Sequence, residues 1–385
     1  MIQLVRQGHS LRAVARKFAV DPATVKRWVD RTAGQRLERA ALSDRPSGLR
    51  RAANRTTAAL EEQILQTRTQ LKERSALGNC GAHAIRQHLN QQGLEPLPAV
   101  RTVGRVLARR GALSGRYRQR RKPPRPGWYL SAVASGRLEL DSFDIVEALA
   151  IKGGQHFELF NGISLHGALA DTHIVAGGHN ARSVLEALLE HWRRHGLPGF
   201  AQFDNDSRFQ GPHSRVAIIS RVMRLCLSLG ITPVFAPPRE TGFQAAIESF
   251  NGLWQAKVWR RFVFDSLQGV CEQSARFIAA RRAHLAQRIA QAPARPAIDA
   301  QWRLDLQQHP AGQIIFIRRT SERGLVELLG RSVLVDEHWQ HRLVRCALDL
   351  DWQKVRCHGL SRREPTHQPL LNEVSFEVPH GRFHE

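Results

Sequence analysis

The sequence predicts a multidomain α/β protein in which two N-terminal helix-turn-helix units precede a mixed sheet flanked by helices and a small, basic C-terminal β-barrel. Its 385 residues correspond to two to four domains at about 100–200 residues each. Helical periodicity dominates up to the basic, proline-broken run GRYRQRRKPPRPGW, after which strands and helices alternate; from Gly312 strands recur at close spacing. With 42% apolar and 24% charged residues, the composition is that of a globular chain rather than a disordered or fibrous one. The boundaries that follow are residues 1–55, 56–127, 128–292 and 293–385.

In GHSLRAVARKFAVDPATVKRWVDR, Leu11, Val14, Ala15 and Phe18 follow helical spacing. Asp21 caps the next helix, Pro22 takes its first position, and Val25, Trp28 and Val29 form its inner face. Thr24, Lys26 and Arg27 are left outward. A hydroxyl and two cations placed this way suit a DNA major groove, where phosphates are neutralised and base edges read. The run RPSGLRRAANR reads as a basic linker along a phosphate backbone. A second helical unit from Thr56 turns Val103, Val106 and Leu107 inward and leaves Arg101, Arg105 and Arg109 outside as further DNA contacts. The rival readings are a helical bundle for protein contacts and a structural bridge.

The third region opens with LELDSFDIVEALAI, QHFELFNGISLHG and ALADTHIVAG, three strands of an antiparallel meander with Gly153 and Gly154 in the first turn. The helix NARSVLEALLEHWRRHG, the strand FAQFD, a helix over residues 214–230, the strand TPVFAP and the helix FQAAIESFNGLWQAKVW complete a mixed sheet with helices on it. A basic helix follows over about residues 267–290. In the barrel, Arg318, Arg319, Arg362 and Arg363 are candidate nucleic-acid contacts.

Charge narrows the partner. Fifty-seven Lys plus Arg against 34 Asp plus Glu give +23, which favours a polyanion. No apolar run has the length of a membrane span and the N-terminus has no apolar signal core, so a cytosolic protein without membrane contact is expected. The five cysteines stand far apart, and the 18 histidines show no HxxxH paired with CxxC, so neither a disulfide framework nor a structural zinc domain is expected.

Against this cationic background three acids stand out: Asp141 in the first strand, Asp204 at the end of FAQFD, and Glu248 on the helix FQAAIESFNGLWQAKVW. On that helix Ile247, Phe250, Trp254 and Val258 make an apolar stripe beside a polar one of Gln244, Glu248, Asn251 and Gln255. Converging carboxylates of this kind hold two divalent cations for phosphoryl transfer, one activating water or a 3′ hydroxyl and the other stabilising the departing oxygen. Asp144 and Glu240 are the nearest alternative acids, and Asp144 faces away from Asp141 by strand alternation.

The order of the helix-turn-helix units, LELDSFD, DNDSRF and PPRETGFQAAIESFNGLWQ resembles a bacterial insertion-sequence transposase with a retroviral-integrase-type DDE core, over roughly residues 10–290. The resemblance implies a ribonuclease H-like core, Mg²⁺ or Mn²⁺ dependence with two ions per site, cutting at element ends, transfer of 3′ ends into target DNA, a homo-oligomer on double-stranded DNA and a nucleoid location when bound. By position it makes Asp141, Asp204 and Glu248 the catalytic metal ligands, with Asn205 supporting the second strand end and Gln244 the helix face. The chain departs from the pattern in the long interval between Asp204 and Glu248, assigned to a loop in FQGPHSRVAIIS, and in Asp206, where the family usually has glycine. Two rival functions are a DNA-binding regulator whose core no longer cuts and a ribonuclease H-like nuclease that cleaves without joining.

Overall fold

The structure, a computed structural model, describes residues 1–44, 56–113, 127–211, 216–240 and 242–378. The basic run RPSGLRRAANR and residues 115–126 of the proline-broken run lie outside the described residues. The chain forms two compact units, Met1–Glu61 and Glu62–Glu385.

The first unit holds α1 (Ile2–Arg6), α2 (Leu11–Phe18) and α3 (Pro22–Arg31). The Ser10 side chain caps α2 by accepting the Ala13 N–H at 3.3 Å, and Asp21 caps α3 by accepting that of Ala23 at 2.7 Å. Val14, Ala15 and Val25 form the centre of this small core. Arg6 closes it by donating to the carbonyls of Thr32 at 2.6 Å and Gln35 at 2.9 Å.

Helix α4 (Ala58–Arg74) runs into the second unit, followed by α5 (Ala82–Gln91) and α6 (Val100–Arg109), with Ile85, Leu89, Val103, Val106 and Leu107 buried. After α7 (Ser131–Ala134) come β1 (Leu140–Ala150), β2 (His156–Ser164), β3 (Ala170–Ala176), α8 (Ala181–His195), β4 (Phe200–Phe203), α9 (Ser207–Gln210), α10 (Arg221–Ser228) and β5 (Thr232–Phe235). Helix α11 (Ala245–Trp254) continues as one π-helical turn, Gln255–Trp259, before α12 (Leu267–His284) and α13 (Ala286–Ala290). Strands β6 (Gln313–Arg319), β7 (Leu325–Leu328), β8 (Arg331–Leu334), β9 (Leu343–Asp349), β10 (Lys354–Gly359) and β11 (Leu370–Ser375) complete the chain. The helix predicted over residues 214–230 begins only at Arg221, because the Ser220 side chain caps it there, accepting the Met223 N–H at 3.1 Å.

One nine-stranded sheet has the order β11-β10-β9-β6-β5-β4-β1-β2-β3. Strands β1, β2 and β3 form the expected antiparallel meander, while β4 pairs in parallel with β1, and β5 with β4. Phe143, Phe203, Trp192 and Leu188 pack on the face covered by α8 and α10. On the opposite face the apolar stripe Ile247, Phe250, Trp254 and Val258 packs with Leu159 and Phe277.

The strands after Gly312 correct the expected barrel. β6 pairs in parallel with β5 through Val234–Ile315 and Phe235–Phe316, and β9, β10 and β11 extend the same sheet; β7 and β8 form a separate two-stranded ribbon. The reason is apolar: Phe235 and Phe316 stack with ring centroids 5.3 Å apart, and Val344, Cys346 and Leu348 join the core that contains Phe203 and Trp192. Phe316→Ala is therefore expected to lower the stability of the whole second unit by about 3–5 kcal/mol. In calorimetry, β6 to β11 should melt together with β1 to β5; a separate transition for residues after 312 would restore the detached barrel.

Candidate active site

Strand alternation decides which acids meet. Successive side chains of β1 point to opposite faces, so Asp141 and Phe143 look toward α8, whereas Ser142 and Asp144 look toward the other side. Phe143 lies edge-on to Trp192 at 5.9 Å, and the Trp192 indole N–H donates to Asp141 at 3.2 Å. On the other side, Ser142 donates to Gln202 at 3.0 Å, and Gln202 donates to the Tyr129 hydroxyl at 2.5 Å. Ser142 and Gln202 are partners in the parallel β1–β4 register. Two residues further along each chain, Asp144 and Asp204 emerge on that same side.

Asp144 carries the electrostatic signature of the meeting. Burial and the neighbouring charge of Asp204 push its carboxyl up to about 6; hydrogen bonds from the Ile145 N–H and Asn251 oppose the rise, and Glu248 adds to it. Asn251 donates to Asp144 at 2.6 Å and accepts from Asn161, the cross-strand partner of Asp144, at 2.7 Å. Glu248 precedes Asn251 by about one helical turn on α11 and is exposed. Burial also raises the Asp204 carboxyl, and the Asp206 N–H donating at 2.9 Å limits the shift.

Asp141 does not join this group. It is completely buried and takes a bidentate pair from Arg295 at 2.8 and 2.7 Å, with His191 at 3.3 Å. Although burial alone would raise it, these partners hold the carboxyl well below the usual carboxylate range. The placement corrects the sequence assignment: the two aspartates are three positions apart, an odd step that puts them on opposite faces, and Asp144 stands with Asp204 and Glu248.

Asn205 does brace the strand end, donating to the Ala236 carbonyl at 2.7 Å and accepting from Arg318 at 2.9 Å. Arg318 is thus a buried tie and not the surface contact expected. Arg319 and Arg362 pair with Glu240, which keeps that acid away from the site. Asp206 caps α9 by accepting the Arg208 N–H at 2.8 Å. Gln244 stands at the N-cap of α11, its amide nitrogen buried without a hydrogen-bond partner. On α3, Lys26 and Arg27 are exposed and Thr24 is half-buried; on α6, Arg101, Arg105 and Arg109 are exposed. Asp144 and Asn251 are the residues that position-by-position reading missed as a pair.

Residues 1–51 match the family model of a helix-turn-helix domain. Among solved structures, a chain of the simian T-cell lymphotropic virus intasome in complex with PP2A regulatory subunit B56 gamma is similar at 11% identity and a TM-score of 0.34, over 69% of this chain and 88% of that one. The catalytic core domain of BIV integrase is similar at 18% identity and 0.28, over 37% and 81%. The HTLV-2 integrase catalytic core domain in complex with magnesium is similar at 12% and 0.27, over 40% and 86%.

The two aspartates of β1 should respond oppositely to neutralisation. Asp141 has a depressed carboxyl, so its stabilising contribution is present above the unfolded value of 3.8 and is lost as the pH falls below it. Asp144 is raised from 3.8 to about 6, so the fold loses stability as the pH rises between those values and does not regain it at neutral pH. At neutral pH and without divalent ions, Asp141→Asn should cost about 3–5 kcal/mol by stranding the Arg295 and His191 charges. Asp144→Asn should stabilise by about 1–3 kcal/mol. Chemical denaturation of both variants measures the two signs.

Proposed function

We propose that this chain is a DNA strand-transfer enzyme of the transposase and integrase kind, acting through Asp144, Asp204 and Glu248. The observation that supports this reading is the Asn251 amide of α11 donating to Asp144 at 2.6 Å, which brings the helix of Glu248 against β1 beside the parallel strand that ends at Asp204. Oxygen donors gathered at mutual repulsive cost fit hard divalent cations, Mg²⁺ or Mn²⁺, and the amide of Asn251 adds no competing charge. Bound there, two such ions would activate water or a 3′ hydroxyl and stabilise the leaving oxygen. The protein's own part is orientation: Asn251 fixes the Asp144 carboxylate, the Asp206 N–H fixes Asp204, and Asn205 anchors the strand end beneath it.

DNA is the substrate this reading requires. The helix-turn-helix match, the exposed Lys26 and Arg27 on α3 and the formal charge of +23 support it. Arg101, Arg105 and Arg109 on α6 are assigned to phosphate contact, and Thr24 to the groove. The finer identity, a bacterial insertion-sequence transposase working as a homo-oligomer on element ends in the nucleoid, rests on the sequence resemblance.

With element-end DNA and Mg²⁺, the protein should nick and join strands. Asp144→Asn, Asp204→Asn and Glu248→Gln should each reduce product by at least about 100-fold while DNA binding persists in a mobility-shift assay. Cleavage without joining would favour the nuclease, and binding without any product the inactive regulator. Affinity should fall by at least about 100-fold between about 50 and 200 mM salt, because many phosphate contacts release many counterions; a flat response in fluorescence anisotropy would remove DNA as the partner.

A further inference from the structure

A second polar cluster lies on the α8 side of the sheet, on the face that Asp144 does not share. We propose that Asp171, His191 and His195 form a Zn²⁺ site, separate from the three acids assigned to strand transfer.

His191 and His195 are four residues apart on α8, so their rings project from one helix face. Asp171 of β3 reaches both: its Oδ2 lies 3.0 Å from His191 Nδ1 and 2.5 Å from His195 Nε2. One ligand atom from each residue falls within 4.8 Å of the other two. A tetrahedral ion with bonds of about 2.0–2.2 Å holds its ligand atoms about 3.3–3.6 Å apart, so the Asp171–His195 contact opens by about 1 Å to admit it, and two imidazoles with a carboxylate suit Zn²⁺ better than Mg²⁺.

For His191 the outer partner is the one a metal-ligating histidine needs. The second ring nitrogen of His191 faces Asp141 at 3.3 Å, and Asp141 is itself held by Arg295 and Trp192. A carboxylate there fixes the tautomer and turns the Nδ1 lone pair toward Asp171. The other oxygen of Asp171 is occupied by Arg194 at 2.6 Å, which leaves Oδ2 for the two imidazoles. A groove of about 960 Å³ between β3, α8 and α12 reaches Asp171 and His191 and gives room for a fourth ligand such as water.

The surrounding charges set the affinity. Arg194 pairs with Asp171 and Glu190, Arg282 lies 3.3 Å from the His195 ring, and Arg295 backs Asp141. These cations weaken a dication, and a proton competes for the His191 Nδ1 position between the two aspartates. Binding must release that proton, so affinity rises with pH.

Chelator-stripped full-length protein titrated with Zn²⁺, and with Co²⁺ as a spectroscopic probe, tests the site. One Zn²⁺ per chain is expected, with a tetrahedral Co²⁺ visible spectrum and tighter binding at about pH 8 than at about pH 6. The double variant Asp144→Asn, Glu248→Gln should keep this ion, whereas His195→Ala and Asp171→Asn should each lose at least about tenfold in affinity. Absence of Zn²⁺ binding by the wild type overturns the site even where a variant fails to fold; so does unchanged affinity in a folded His195→Ala protein, or loss of the ion in the double variant. Strand transfer is not read in any arm, so failure here leaves the reading of the three acids standing.

Discussion

The buried pair between Asp141 and Arg295 is the interaction on which the arrangement of the core depends. Arg295 lies beyond α13, far along the chain from β1, and it also donates to the carbonyls of His195 and Gly196 at the end of α8. One guanidinium thereby joins the start of the first strand, the end of the first core helix and the segment that leads into β6. Gly196 permits the approach: it sits at φ +80°, and a Cβ there would meet the Arg295 carbonyl oxygen at 2.8 Å. Replacing either ion would strand the other in an apolar layer, a much larger loss than the modest net gain of forming the pair.

Charge is distributed between the two sheet faces by this same constraint. On the α8 face each carboxylate has a cation or imidazole, and Asp141 and Asp171 are both pulled down despite burial. Across the sheet, Asp144 is pushed up and faces an amide and two like charges. Carboxylates kept in mutual repulsion lower the stability of the fold, and costs of this kind cluster at functional sites. Asn251 reconciles the two demands, since it satisfies Asp144 by hydrogen bonding without neutralising it.

Local pattern carried most of the elements. The cap Asp21, the Gly153–Gly154 turn and the stripe Ile247, Phe250, Trp254, Val258 are short-range signals, and the helices and meander follow them. The acid of β1 was less legible because LELDSFD holds aspartates of both parities, and only the partner strand decides between them. Ser142 opposite Gln202 sets that choice, and a parallel register between β1 and β4 has no local signature. The same limitation explains the barrel. Alternating strands after Gly312 are compatible with a closed module or an extended sheet, and the pairing of Phe235 with Phe316 selects the second.

That extension has a mechanical consequence for the end of β4. Arg318 enters from β6, donates to Asn205 at 2.9 Å and to the Ile317 carbonyl at 2.9 Å, and lies over the Phe316 ring at 5.1 Å. Burial pushes its guanidinium down to about 10, a cost the fold bears to place a donor fork there. Asn205 directly follows Asp204 and also bonds the Ala236 carbonyl, so the strand end is held from β5 and β6 together. Carboxylates that repel one another stay together only on rigid supports, because any slack would let them move apart and relax. The added strands give Asp204 a fixed wall that an isolated β4 edge would lack.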